Sequence, residues 1–426
     1  MQHWKTIMKI TQFTCLALLI LTLPAARGEP FRTDVNPALL YYQAFLMAPQ
    51  AMSDADSEYL GSKAGREQKL PERFGPILAG YDNEFKLVRV AAQQKVPCDW
   101  GIDMSPGPGT FLPHLRFVKA VAVASQPRAM WDLQQGNQAG ARDDLLAAFV
   151  LARNASRDGT LIGALVQNAC EAIIYATVAG NFGQFSPETL KQLADGFDAA
   201  PARGTMATTI MTEKMNHVDW VANKIRKLQQ QNPENDAKVM AAIREDGEFR
   251  YFENSGDEGK PTTNFWQRVF VAAGGTSDGV LKLVRESEPP YLRLAKIMTL
   301  PLPDYEDQVQ KFAAEIQKSQ NPFVQALFLD PLRPRVKEFR MQAEQAMVHA
   351  AVEYKLHGES GLKSVMDPFG NGSFAFQRFV FEGVDRGFKL ESAYSFGKVP
   401  CGIIFVEKEG PPFSVSSPNI GKAGKP

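Results

Sequence analysis

Residues 112–178, LPHLRFVKAVAVASQPRAMWDLQQGNQAGARDDLLAAFVLARNASRDGTLIGALVQNACEAIIYATV, decide the fold. Pro113 opens a stretch in which Leu115, Val118, Ala122 and Ala129 recur at helical spacing as far as Gln135. Gly136 and Asn137 break it. Residues 139–155 resume the period, with Ala141, Leu145, Ala148, Phe149 and Ala152 on one face. Arg157, Asp158 and Gly159 break it again, and 161–178 is apolar almost all round, the pattern of a helix buried on most sides. Three helices in succession, with no strand between them, predict helix packed on helix.

The same texture extends in both directions. Asn36 and Pro37 start a helix over 36–50, and Ser186, Pro187 and Glu188 stand in cap, proline and early-acid order before another. Residues 203–230 predict one long amphipathic helix, with Met211, Met215, Val218, Ala222 and Ile225 as its seam. It pairs with a helix over 236–252 in a hairpin. Further helices fill 265–329, punctuated by Pro289, Pro290, Pro301, Pro303 and Pro322, and a long one covers 333–356. After His357 the pattern changes. Phe374, Phe376, Phe379, Phe381, Phe388, Leu390 and 403–406 read as strands, with turns at Gly383 and Gly397. The expected fold is mainly α, an irregular helical bundle with a small C-terminal α+β module of a long helix and an antiparallel sheet. Its expected divisions are a leader at 1–28, a helical domain at 29–254, a helical continuation at 255–332 behind an acidic linker, the module at 333–410 and a disordered tail at 411–426.

The chain has 426 residues, 47 bases, 47 acids and 44% hydrophobic residues, so it can bury a sizeable core. Lys5 and Lys9, an apolar run over 13–23 and small residues at Ala26 and Gly28 form the three parts of a secretory leader. The run is shorter than the roughly 20 residues of a membrane span, so a soluble exported chain with no stable span is expected, periplasmic or extracellular. Removing Lys5, Lys9 and Arg27 leaves 44 bases against 47 acids. Nothing in that balance favours nucleic acid. Three cysteines remain, Cys98, Cys170 and Cys401. Cys170 falls in an apolar helix, and Cys98 with Cys401 forms the more plausible disulfide in an oxidising compartment.

Two stretches resemble families. Within 129–155, Leu133, Gly136, Asn137, Gly140, Ala141, Ala148 and Ala152 resemble one tetratricopeptide-type hairpin, whose small residues let two helices cross closely. Between 346 and 395, Tyr354, His357 and Gly358, then Asp367-Pro368-Phe369-Gly370, Phe374, Phe376, Gly387, Leu390 and Ser392 resemble the C-terminal ending of type II secretion pseudopilins. That ending, with Asp99-Trp100-Gly101 and Leu112-Pro113-His114-Leu115, is also similar to uncharacterised exported proteins of planctomycete and verrucomicrobial type. The resemblance implies an envelope location and no particular activity.

Two sets of residues carry candidate chemistry. Gly275-Thr276-Ser277-Asp278-Gly279 fits a nucleophile elbow behind a strand-like 269–273, with Asp304 or Asp330 and His349 or His357 as later partners. The plainer reading makes Ser277 and Asp278 capping residues at a helix start. Asp99, Asp103 and His114 bring two carboxylates and an imidazole close in sequence, suited to metal binding or acid–base work. The plainer reading makes both aspartates turn residues beside a packed Trp100. His217 on the long helix reads as a hydrogen-bonded helical residue, and Gly107-Pro108-Gly109 as a loop. No cofactor or metal is expected, and Glu245 to Glu258 lacks the alternation of a calcium loop. The expectation is an exported structural or interaction protein with an unknown protein partner. The alternatives are a secreted hydrolase using Ser277 or the Asp99/Asp103/His114 cluster, and a pseudopilin-related component of an envelope assembly.

Overall fold

The computed structural model describes residues 34–49, 52–62, 65, 69–249, 265–328, 333–396 and 399–410. The leader at 1–28, most of the acidic linker, Gly397 and the tail at 411–426 lie outside the described residues.

The protein is mainly α, with a small three-stranded antiparallel sheet at its C-terminal end. Helices α1 (Pro37–Leu46), α2 (Asp54–Gly61), α3 (Phe74–Ala79) and α4 (Asp82–Ala92) precede three central helices, α5 (His114–Gln134), α6 (Gln138–Ala155) and α7 (Leu161–Gly180). The breaks between these three are physical. Gly136 takes a left-handed φ of 75°, and the Asn137 side chain accepts from Gly140 N at 3.0 Å to start α6. Gly159 (φ 73°) closes the 3-10 turn that follows α6, and Thr160 Oγ1 accepts from Gly163 N at 3.0 Å to start α7. Among the described residues α7 alone is long and apolar enough to cross a membrane, and 56% of its length is buried. It packs against α5, α6, α9 and α17, as a core helix does.

Helix α8 (Pro187–Ala199) starts on a Ser186 cap, as its sequence predicts. The long helix predicted over 203–230 runs without a break from Met206 to Gln231, but as α9 (Met206–Lys214), a π turn (Met215–Asp219) and α10 (Trp220–Gln231). The π turn accommodates one extra residue, which rotates the preceding stretch by about 100°. Val218, Ala222 and Ile225 therefore face inward while Met211 and Met215 are exposed, and the predicted five-residue seam is split.

Helices α11 (Asp236–Glu245), α12 (Phe265–Ala272), α13 (Ser277–Arg285), α14 (Glu288–Ile297), α15 (Leu302–Lys318) and α16 (Pro322–Leu327) follow. Residues 269–273, read above as strand-like, belong to α12 and its C-terminal end. Phe265, Trp266 and Val269 bury one helical face there, with both Phe265 and Trp266 against Phe323. Helix α17 (Arg333–His357) and short α18 (Glu359–Ser364) lead into β1 (Ala375–Phe381), β2 (Val384–Phe396) and β3 (Val399–Val406). The β1–β2 turn is Glu382-Gly383, both at positive φ, as the right-handed twist of a tight hairpin requires. Phe388, Leu390 and Phe405 are buried under the sheet, where Tyr354 of α17 and Phe182 after α7 meet the Phe388 ring. Asp367, from the DPFG stretch, is buried and accepts from Ser392 Oγ (2.8 Å), Ala393 N (2.5 Å) and Phe369 N (3.0 Å), which fastens the loop to β2.

One buried apolar cluster runs from Ala38 to Phe405. A second, small one holds Leu70, Phe74, Leu78 and Met130, and it anchors α3.

Candidate functional site

Ser277 is the first residue of α13, behind a Thr276 side chain that accepts from Gly279 N at 3.1 Å. It is buried. Its amide donates to Asp236 Oδ1 at 3.0 Å, and its hydroxyl accepts from Gln229 Nε2 at 2.9 Å. Asp278 accepts from the same amide group at 2.8 Å. The elbow reading required a strand before it and a histidine beside it. The preceding element is helical, and His349 and His357 face Asp198 and Glu353 at 3.1 and 3.7 Å. Asp304 lies in the first turn of α15, and Asp330 is outside the described residues. Ser277 joins α10, α11 and α13.

The other cluster is also redistributed. Asp99 Oδ1 accepts from Gly101 N at 2.9 Å, and Asp103 accepts from the amide (2.8 Å) and hydroxyl (2.9 Å) of Ser105. The Ser105 bonds hold the exposed Asp103 carboxyl below the usual carboxylate range. Both are turn residues. His114 is completely buried, stacks on Trp100 at 4.4 Å, and places Nε2 3.5 Å from Asp158 Oδ2. Its carboxylate neighbour is therefore Asp158, across the α6–α7 junction. Trp100 donates to the Asn154 carbonyl at 2.8 Å and packs against Tyr41, Tyr42 and Phe45 of α1.

The Cys98–Cys401 disulfide is not formed. Cys98, Cys170 and Cys401 are all free and buried, and burial pushes each thiol up to about 12. Cys98 lies next to Ala38 of α1, whereas Cys401 on β3 lies near Arg340 and Glu344 of α17. They belong to different parts of the core. His217 bonds the Glu213 carbonyl at 2.8 Å within the π turn. Gly107 takes a φ of 63° in a 3-10 turn, and the Trp220 ring lies where its Cβ would be.

Two buried charge networks were missed by the sequence reading. In one, Glu171 of α7 takes Arg153 of α6 and Arg203, and both guanidinium groups reach Gln345 Oε1 on α17 at 3.2 and 3.3 Å. Glu338 on α17 accepts from Met206 N at 3.0 Å. Burial raises the Tyr175 phenol and the Glu344 carboxyl well above their ordinary values. In the other, Arg128 of α5 bonds Asp144 of α6, Asp82 of α4 and the Leu78 carbonyl of α3. The only local signal was a charged residue falling on an otherwise apolar helical face, as with Glu171.

Among the described residues no group of three or more His, Cys, Asp or Glu side chains could hold a metal ion. A polar cavity of about 130 Å³ lies among Lys69, Gln134, Asn181, Gln184 and Glu409. The outer face of α7 carries an apolar stripe. Ile162 is 58% and Val123 50% exposed, and Leu165, Val166, Ala169 and Ile173 of α7 are half-buried. The chain matches no family model, no curated protein and no solved structure.

Proposed function

We propose that this is an exported protein that works by contact with a protein partner. The observation that carries the reading is the apolar outer stripe of α7, where Ile162 is largely in solvent, together with the exposed Val123 of α5. Buried apolar area is the main driving force of protein association, and isolated exposed side chains need no explanation where a whole stripe does. The leader-like residues 1–28 support export, and the long α17 followed by an antiparallel sheet supports an envelope setting akin to that of pseudopilins. Ser277 links three helices by hydrogen bonds, Asp99 and Asp103 hold turns, and His114 packs on Trp100, which favours binding over catalysis. Comparing Ile162→Asp and Val123→Asp with Ser277→Ala in the native host tests this. The first two should abolish recovery of a specific co-purifying protein, and Ser277→Ala should retain it. Fluorophosphonate labelling that is lost only in Ser277→Ala would favour the hydrolase instead.

A further inference from the structure

The polar cavity of about 130 Å³ is walled by distant stretches of the chain: Lys69 before α3, Met130 and Gln134 on α5, Asn181 and Gln184 after α7, and Glu409 after β3. Hydrogen bonds fix these stretches in place. The Gly183 amide donates to the Val406 carbonyl at 2.7 Å, and Gln138 Nε2 of α6 donates to the Gln184 carbonyl at 2.9 Å. The buried Arg386 of β2 donates through Nε to the Lys408 carbonyl at 2.8 Å, beside Glu409. Asn181 is buried, and its amide donates to the Thr177 carbonyl at 2.8 Å and accepts from Gln184 Nε2 at 3.3 Å. Each of these two carboxamides keeps a second N–H. Three other side chains of the wall have no such partner. Among the described residues the Gln134 amide, the Lys69 ammonium and the Glu409 carboxylate form no hydrogen bond or ion pair, and Lys69 and Glu409 do not pair with each other. One cavity thus presents a cation and an anion held apart, with carboxamides and the Met130 thioether in the same wall.

We infer that this cavity binds a small zwitterion, a free α-amino acid with a short side chain, whose carboxylate meets Lys69 and whose ammonium meets Glu409. The second N–H groups of Asn181 and Gln184 add donors for the carboxylate, and Met130 receives the side chain. A simple anion would meet the Glu409 charge and a simple cation the Lys69 charge, so each is disfavoured where a zwitterion satisfies both. Size sets the other limit. A cavity of about 150 Å³ takes one benzene molecule, so this one suits a ligand of alanine's size. Because the wall is tied together before any ligand arrives, little ordering opposes binding. The cavity shares no residue with the α7 stripe proposed above to meet a protein.

Calorimetric titration of the full chain at neutral pH tests the site with L-alanine and two analogues. L-Lactate has a hydroxyl in place of the ammonium, and L-alaninamide has no carboxylate. Alanine should bind saturably and the analogues about tenfold more weakly, the loss expected for a missing hydrogen bond to a charged group. Glu409→Gln should bring alanine and lactate to equal affinity, and Lys69→Gln should do the same for alanine and alaninamide. Both side chains are exposed, so neither change disturbs the fold. No saturable binding of alanine up to about 10 mM, an analogue that binds as tightly as alanine, or a preference that survives in its variant would overturn the proposal.

Discussion

Trp100 shows what the aspartates around it are for. Its indole is buried between His114 and the α1 rings and donates to the Asn154 carbonyl, so one side chain joins α1, α5 and α6. Asp99 and Asp103 shape the loop that delivers it. Truncating Trp100 to Ala should cost about 3–5 kcal/mol, the range for removing a large buried aromatic. The urea midpoint should drop with the slope unchanged, and a midpoint equal to that of the parent chain would contradict this role. The turn roles of Asp99 and Asp103 were legible because their partners lie two residues away. The pairing of His114 with Asp158 was not, because it depends on how α6 and α7 fold back beside α5. The free cysteines were illegible for the same reason. A proline before each of Cys98 and Cys401 says nothing of which part of the core each enters.

At the scale of elements, the breaks and the Ser186 cap were read well, the α13 cap was read one or two residues late (Thr276, not Ser277 or Asp278), and phase was read less well. Ser186 caps the helix it precedes, because a capping bond spans three residues and is written locally; Asn137 and Thr160 cap theirs in the same way. The π turn at 215–219 has no local signature of that kind. Its consequence is tertiary: Trp220, just after it, packs on Gly107 and donates to the Ser105 carbonyl at 2.9 Å. Gly107→Ala places a Cβ in the Trp220 ring and strains a φ of 63°. It should destabilise the chain by about 1–3 kcal/mol in chemical denaturation, whereas an unchanged midpoint would show that the contact is not tight. The run at 269–273 was misread because five apolar residues fit a strand or a buried helix equally well. The helix wins because Phe265, Trp266 and Val269 bury one face at helical spacing.

Over the whole molecule, the C-terminal module is tied to the helical body through buried polar side chains as well as apolar ones. Glu171, Arg153, Arg203 and Gln345 join α6, α7 and α17, and the Gly183 amide donates to the Val406 carbonyl of β3 at 2.7 Å. The mainly α class and the terminal sheet were legible from periodicity. The charge network was not, since sequence alone does not say which buried acid meets which base. Glu171→Ala would leave two buried guanidinium groups without their carboxylate, at a cost of about 3–5 kcal/mol. Because the core is continuous, the loss should lower a single cooperative transition. Separate unfolding of 333–410 in that variant would show instead that the module is an independent unit.

The proposed partner contact lies on the outer stripe of α7 and at Val123 of α5. Site-specific photo-crosslinking in the native host, with the probe at Ile162, at Val123 or at the exposed Lys311 of α15, tests that most directly. The prediction is one discrete adduct, the same protein from Ile162 and Val123, absent from Lys311 and lost when the other face residue is changed to Asp. Equal, diffuse labelling from all three positions, or none from Ile162 and Val123, would contradict it.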